Sequence, residues 1–376
     1  MTNTDLQLEA SRRVERHKSR DGLIFVIAMW LLSRSVIAIG MQVIAPQLYQ
    51  FQDSKPFIPG FVPTRGWELF SHWDGEWYTK IATLGYSYAN DGQQHSVAFY
   101  PLFPLLIRGA MALGMRVEVA GVLINSFAFL GALLLVYFWV EERYDTAGAK
   151  WTTAVLAWCP FSLFCTVMYT EGLFLLLTAA ALRFFERGEY IRAAVCGALT
   201  TATRGPGVAL IPTFFLVAWR EKRPAMAYIA AFALPLGLLS FSLYCAIRFG
   251  DALAFVHVQK GWIQPSWLDI LAQVFRLRIS AISRVGMIFG SVYLLWVFRK
   301  KLSSIVLTYG FCSLAFLINS GALRSVNRYA YGIVSLSIAL GLLLAAWPTW
   351  GYGLMGLFGV FLLYVSVRFA GFLWVA

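Results

Sequence analysis

The feature that most constrains this 376-residue chain is a set of apolar segments about as long as a bilayer is thick. Leu23–Ile44, Val119–Val140 and Ala225–Ile247 each run about 20 residues with few or no charges. Roughly 20 apolar helical residues cross a hydrocarbon layer of about 30 Å. Apolar side chains make up 59% of the chain and charged ones 13%, which excludes intrinsic disorder and leaves little room for a soluble domain. The expected fold class is an all-α polytopic membrane protein. No long polar insert interrupts it, so residues 22–376 read as one transmembrane domain behind an N-terminal segment, 1–21.

The formal charge of +12 does not point to nucleic acid here, because Lys and Arg accumulate in the cytoplasmic loops of membrane proteins. Residues 1–21 carry Arg12, Arg13, Arg16, Lys18 and Arg20 and lack a signal-peptide cleavage pattern, so this segment is expected in the cytoplasm. The chain then crosses, and residues 45–118 form a long first extracytoplasmic loop bearing interface helices. Phe103–Met115 is short, opens near Pro101 and Pro104 and carries Arg108, so 101–115 is expected to be re-entrant or to lie in the interface. With that choice the basic turns at Arg183/Arg187/Arg192, Arg220/Lys222/Arg223 and Arg299/Lys300/Lys301 all fall inside. Residues 190–219 are too long for one crossing, and Arg204-Gly205-Pro206-Gly207 sits in their middle, so two short helices meeting at Arg204 are expected. About eleven spans result, with a later extracytoplasmic loop at 249–281.

Under this topology Ser71–Tyr78, Tyr169–Glu171, Arg204–Gly207, His257–Trp262 and Arg324–Tyr329 share the face opposite the cytoplasm. Ionisable groups at membrane depth are functional candidates by default. Trp67–Leu84 reads as one amphipathic interface helix with Trp73, Trp77, Ile81 and Leu84 in a stripe. On it Asp74 and Tyr78 share a face, and Asp74 is placed either to accept a proton or, with Ser71, to cap the helix. Glu76 reads as solvated. Glu171 either complements a helix N-terminus or serves a site. Arg204 and Arg328 suit bidentate phosphate binding, with snorkelling as the alternative and the expectation for Arg34, Arg324 and Arg368. Gln259 and Trp262, beside Lys260, suit a sugar's hydroxyls and C–H face; His95 is either a simple hydrogen-bonding residue or a site residue. The four histidines show no metal spacing, and the five cysteines lie in apolar segments as small buried hydrophobes. No cofactor is expected, although Asp74 and Glu171 leave a shared divalent cation open.

The run Phe70-Ser71-His72-Trp73-Asp74-Gly75-Glu76-Trp77-Tyr78-x-x-Ile81-Ala82-x-x-Gly85-Tyr86, followed by Ala98-Phe99-Tyr100-Pro101-Leu102-Phe103-Pro104, resembles the PIG-V family, the GPI mannosyltransferase 2-like enzymes and their prokaryotic relatives within the GT-C glycosyltransferase superfamily. Pro160…Tyr169-Thr170-Glu171-x-x-Phe174, Arg204-x-x-Gly207, Gln259/Trp262 and Arg328-Tyr329 resemble its later blocks. Gly75 is a departure, since eukaryotic members tend to carry another small residue there, and the absence of an Asn-x-Ser/Thr sequon fits a prokaryotic relative.

The resemblance implies a GT-C-type fold and an inverting glycosyltransferase, with mannose the expected sugar. The donor would be a polyprenyl-phosphate sugar. The acceptor would be a lipid, glycolipid or glycan hydroxyl on the extracytoplasmic face, and no nucleic acid partner is implied. Asp74 would be the base and Arg204 and Arg328 the donor-phosphate ligands. Trp73, Tyr78, His95, Glu171, Gln259, Lys260, Trp262 and Tyr329 would surround the sugars. The expected location is the cell membrane, or the endoplasmic reticulum membrane for a eukaryotic source, among membrane lipids. A transporter or flippase of lipid-linked sugars is the rival reading. The single copy of the Trp-Asp block speaks against the inverted repeats such proteins tend to show.

Overall fold

A computed structural model describes residues 3–51, 62–262, 265–320 and 323–375. Their regular elements are all helices, with no strand among the described residues. Residues 52–61 of the first loop, 263–264 of the later one and 321–322 lie outside the described residues.

Among the described residues five helices are long and apolar enough to cross a membrane: Ser19–Tyr49, Val117–Arg143, Ala225–Phe249, Ile279–Phe298 and Pro348–Ala370. In four of them only 28% of the most apolar window is buried within the protein. The outward face of such a helix is continuous hydrocarbon, which is stable only against lipid. Helix Asn3–Ile39 runs unbroken from the N-terminal segment into the first apolar stretch and continues through a π-helical turn, Gly40–Ile44.

The remaining apolar mass is divided into shorter helices, and each division has a chemical cause. Thr146–Trp158 ends before Pro160, whose missing N–H cannot continue the ladder. A 3-10 segment, Pro160–Cys165, and a turn lead from there to Glu171–Glu186. Tyr190–Thr201 stops at the expected break; Arg204 is extended (φ −157°, ψ 149°), and a 3-10 turn, Gly205–Ala209, leads into Leu210–Arg220. A Cβ on Gly207 would lie 2.9 Å from the Thr200 carbonyl oxygen, so only glycine lets the two half-helices approach this closely.

The core is a cluster of Phe129, Leu133, Leu182, Phe185, Leu210 and Phe214, where Val117–Arg143 packs against Glu171–Glu186 and the half-helices beside it. The segment expected to be re-entrant is a helix of 11 residues, Leu102–Ala112, about 16 Å long by helix rise. It is tied to the first loop by Arg108 Nε, which donates to the Ala82 carbonyl at 2.8 Å. Its first amide, Leu102, donates to the Ala202 carbonyl at the break before Arg204. The later loop holds a short helix, Trp267–Phe275, opened by a capping box between Ser266 and Asp269.

Candidate active site

The expected single helix over Trp67–Leu84 is broken. A 3-10 turn, Trp67–Ser71, gives way to extended backbone at His72 and to Trp73 with φ +59°; the α-helix begins only at Asp74. A bulky residue with positive φ is held there against strain. The holding contacts are visible: the Trp73 ring packs 5.1 Å from Phe372 and 5.2 Å from Trp374, while His72 Nδ1 donates to the Phe369 carbonyl at 3.1 Å. The break also re-aims the helix. Its buried stripe is Gly75, Tyr78, Ile81 and Ala82 rather than the expected Trp73, Trp77, Ile81 and Leu84, and Leu84 is 84% exposed. The cap reading of Asp74 with Ser71 falls with it, because Ser71 Oγ donates to the Glu68 carbonyl and the N-cap position, with no side-chain capping bond, is Trp73. Glu76 is exposed, as expected.

Asp74 instead faces a guanidinium. Arg328 Nη1 lies 2.8 Å from Asp74 Oδ2, and Arg328 Nε pairs with Glu171 Oε1. Arg204 Nη1 pairs with that same Glu171 oxygen. The other, Oε2, accepts from the Thr170 amide at 3.1 Å. Two carboxylates and two guanidiniums thus form one linked cluster of zero net charge. Glu171, at 1% exposed, is sealed, whereas the Asp74 side chain is 25% exposed and can meet a substrate. Aromatic rings line the cluster: Arg328 lies over Tyr169 and Phe164, and Arg204 over Tyr329. The Asp74 amide donates to the Tyr169 hydroxyl at 3.2 Å, and Tyr78 is buried within range of Asp74, Arg204 and Glu171. Arg328 occupies the bridge between the two carboxylates that the sequence reading offers to a cation. Among the described residues no group of three His, Cys, Asp or Glu side chains gathers. The amides of Thr203, Arg204 and Gly207 are spent on backbone carbonyls, so at this break the side chain of Arg204, not freed backbone, is what can meet an anion.

Glu171, Arg204, Arg328 and Tyr329 line a small, partly open cavity. Its other walls are mostly apolar or aromatic, with Phe174, Pro206, Tyr309, Phe316, Leu317 and Ile333, and Ser313 adds a hydroxyl.

Two polar residues that the sequence reading set aside hold this site together. Asn125 donates to the Phe164 and Val167 carbonyls, each at 2.8 Å, and accepts from the Gly172 amide at 2.8 Å, pinning the turn that carries Tyr169 and Glu171. A Cβ on Gly172 would lie 2.3 Å from the Asn125 carbonyl oxygen. Arg34, expected to snorkel, is 8% exposed and turns inward, donating to the Ala157 and Ser162 carbonyls and to Ser162 Oγ. Each is a strongly polar side chain inside an apolar span, the signal that finds both.

The remaining sequence candidates sit elsewhere. Trp262 packs against Trp77 and Phe99, and Phe99 in turn meets Tyr78, so an aromatic wall runs outward from the cluster. Gln259 and Lys260 are exposed on the same turn. His95 pairs with Asp91 at 2.9 Å, away from the cluster, and His257 with Asp251 at 2.8 Å. The Tyr88 hydroxyl, and then His257, hold the Asp251 carboxyl below its usual range. The Tyr88 hydroxyl, donating to Asp251 Oδ2 at 2.6 Å, and the Gln94 side-chain amide, donating to the Gly261 carbonyl at 3.3 Å, dock the Tyr86–Ala98 stretch against Asp251–Trp262.

Fold and site together define an all-helical membrane protein with a buried arginine–carboxylate cluster beside a cavity. The Mannosyltransferase (PIG-V) family matches residues 23–249, well over half of the chain, and the chain belongs to that family. It is 28% identical over 149 residues to human GPI alpha-1,6-mannosyltransferase 2, covering 37% of this chain and 29% of that protein. It is 30% identical over 115 residues to GPI mannosyltransferase 2 of Drosophila melanogaster, covering 27% and 24%. The matched segments thus span under a third of these relatives' length. Among solved structures, ArnT from Cupriavidus metallidurans bound to undecaprenyl phosphate aligns at 13% identity and TM-score 0.49, over 85% of this chain and 59% of that one. The Archaeoglobus fulgidus oligosaccharyltransferase AglB, in complex with an inhibitory peptide and a dolichol-phosphate, aligns at 12% identity and TM-score 0.44, over 92% and 55%.

Proposed function

We propose that this chain is an inverting mannosyltransferase of GT-C type that takes its sugar from a polyprenyl-phosphate donor and acts on the extracytoplasmic face. The observation that carries the reading is Arg328, which joins the accessible Asp74 to the sealed Glu171–Arg204 pair in the wall of a cavity. Family membership supports mannose as the sugar.

In the reaction, the acceptor hydroxyl gives its proton to Asp74 as its oxygen bonds to the anomeric carbon. The carbon–oxygen bond to the phosphate breaks on the opposite side, and the electron pair leaves with the polyprenyl phosphate. Arg204 and Arg328 face the charge that grows on that phosphate, the place where preorganised donors accelerate a reaction most. As Arg328 turns toward the phosphate it releases Asp74 Oδ2, freeing an acceptor lone pair at the moment a proton must be taken. The aromatic wall of Trp77, Phe99 and Trp262 offers the acceptor sugar its C–H contacts, with Tyr78 at the inner end.

The test is reconstitution in liposomes with polyprenyl-phosphate mannose and a panel of lipid, glycolipid and glycan acceptors. Acceptor-dependent release of polyprenyl phosphate, with a mannosylated product of inverted configuration, is expected. Movement of intact lipid-linked sugar between leaflets without release would replace this reading with a flippase.

A further inference from the structure

The position of Glu171 sets a problem that the reaction alone does not explain. Its Oε1 accepts from both Arg204 and Arg328, so the two guanidiniums assigned to the donor phosphate are already committed to an anion. That carboxylate is 1% exposed, is fixed through Oε2 by the Thr170 amide, and stands in the cavity wall together with both arginines. Substrate hydroxyls have no free oxygen there to meet.

We propose that Glu171 is an internal stand-in for the lipid phosphate: it holds both arginines in the empty site and competes with the phosphate for them. The inference rests on the proposed polyprenyl-phosphate donor. Two buried guanidiniums facing an empty cavity would repel each other and lack solvation, which costs several kcal/mol per uncompensated charge. A resident carboxylate removes that cost and keeps the fork of each arginine aimed. The phosphate then enters by exchange, taking charge-assisted bonds that the carboxylate gives up. The exchange also limits the final state. The product is a phosphomonoester with more charge than the donor's phosphodiester, and two arginines without a competing anion would retain it. Glu171 returns to them as product leaves, so its charge trades ground-state grip for turnover.

Binding of polyprenyl phosphate without sugar, in nanodiscs of phosphatidylcholine, tests this separately from transfer. Glu171→Gln keeps the shape and one acceptor oxygen but removes the competing charge. It should bind polyprenyl phosphate on the order of tenfold more tightly, the equivalent of one charge-assisted hydrogen bond no longer surrendered. In transfer assays its donor KM and its kcat should fall together, with product release becoming limiting. Glu171→Asp draws the carboxylate back by one methylene and should tighten binding in the same direction, by less. Unchanged or weaker binding in a folded Gln or Asp variant overturns the proposal. Failure of both variants to fold also overturns it, since Glu171 would then be a structural requirement rather than an exchangeable anion. A wild-type protein that binds no polyprenyl phosphate removes the donor reading itself.

Discussion

Arg328 Nη1 and Asp74 Oδ2 lie 2.8 Å apart across 254 residues of sequence. Asp74 belongs to the part of the chain that matches the mannosyltransferase family, and Arg328 lies beyond it. The short helix Val326–Tyr331 therefore closes a site whose other charged members, Asp74, Glu171 and Arg204, come from the matched region. The pair is asymmetric. Asp74 is reachable from solvent, while Arg328 is 7% exposed and shared with Glu171. A substrate thus meets the carboxylate first, and the guanidinium connects that encounter to the cavity.

Asp74→Asn should insert and fold with little loss, because the residue caps no helix and its side chain is partly solvated. Transfer should fall by roughly 10²–10⁴, the span associated with a missing general base. Reconstituted transfer assays and thermal unfolding of the same preparation check both halves. A variant that unfolds easily yet retains transfer would return Asp74 to a structural role.

Arg328→Ala should do more damage than Asp74→Asn, since it leaves Glu171 with one partner in a site sealed from water. Removing one member of a buried pair costs about 3–5 kcal/mol. Arg328→Lys keeps the charge but cannot reach both carboxylates with separate nitrogens, so it should fold better than Ala and still bind donor weakly. Unfolding midpoints and donor KM for the two variants, compared with wild type, give the ordering. Equal behaviour of Lys and wild type would show that the two-pronged contact is dispensable.

The sequence was most legible where one residue type contradicts its surroundings. Arg204 beside Gly-Pro-Gly announces a broken span because glycine and proline cannot continue it, and the structure breaks there. The share of the site formed by Glu171 and Arg328 was visible as charge in apolar segments, but their pairing was not: 157 residues separate them, and no local pattern encodes a long-range contact. Periodicity misled at Trp73. A stripe at helical spacing runs through 73, 77, 81 and 84, yet ring packing from Phe372 and Trp374 holds Trp73 in a conformation no propensity favours. Arg34 was misjudged because an arginine in a first span commonly reaches for the headgroups; the freed carbonyls near Pro160 that capture it appear only once the helices are assembled.

The helix Leu102–Ala112 carries a topological expectation. At about 16 Å it is half the hydrocarbon thickness, so both of its ends should lie on one side of the membrane. Ala89 before it and Leu113 after it are exposed. In a background with the native cysteines replaced, Ala89→Cys and Leu113→Cys should react with an impermeant thiol reagent from the same, extracytoplasmic side. Labelling of position 113 from the cytoplasm alone would invert the downstream spans and separate Asp74 from the arginines.

Arg34 should behave as a scaffold residue rather than a donor ligand. It lies in the first span, has no carboxylate partner among the described contacts, and spends two nitrogens on the Ala157 and Ser162 carbonyls and Ser162 Oγ. Those carbonyls flank Pro160, where the helix Thr146–Trp158 ends, and the chain runs from there to Tyr169 and Glu171. Arg34→Met fills similar volume with hydrocarbon and leaves the Ser162 carbonyl unpaired, while the Ala157 carbonyl still accepts from Ser162 Oγ; a buried group left without a partner costs about 1–3 kcal/mol. Arg34→Lys can satisfy one carbonyl and should recover part of that loss. In both variants the molecules that remain folded should bind donor with the wild-type KM, because Arg34 does not line the cavity. Thermal unfolding alongside donor titration separates the roles: a lowered unfolding midpoint with unchanged KM is expected. A raised donor KM at unchanged stability would place Arg34 in the binding machinery.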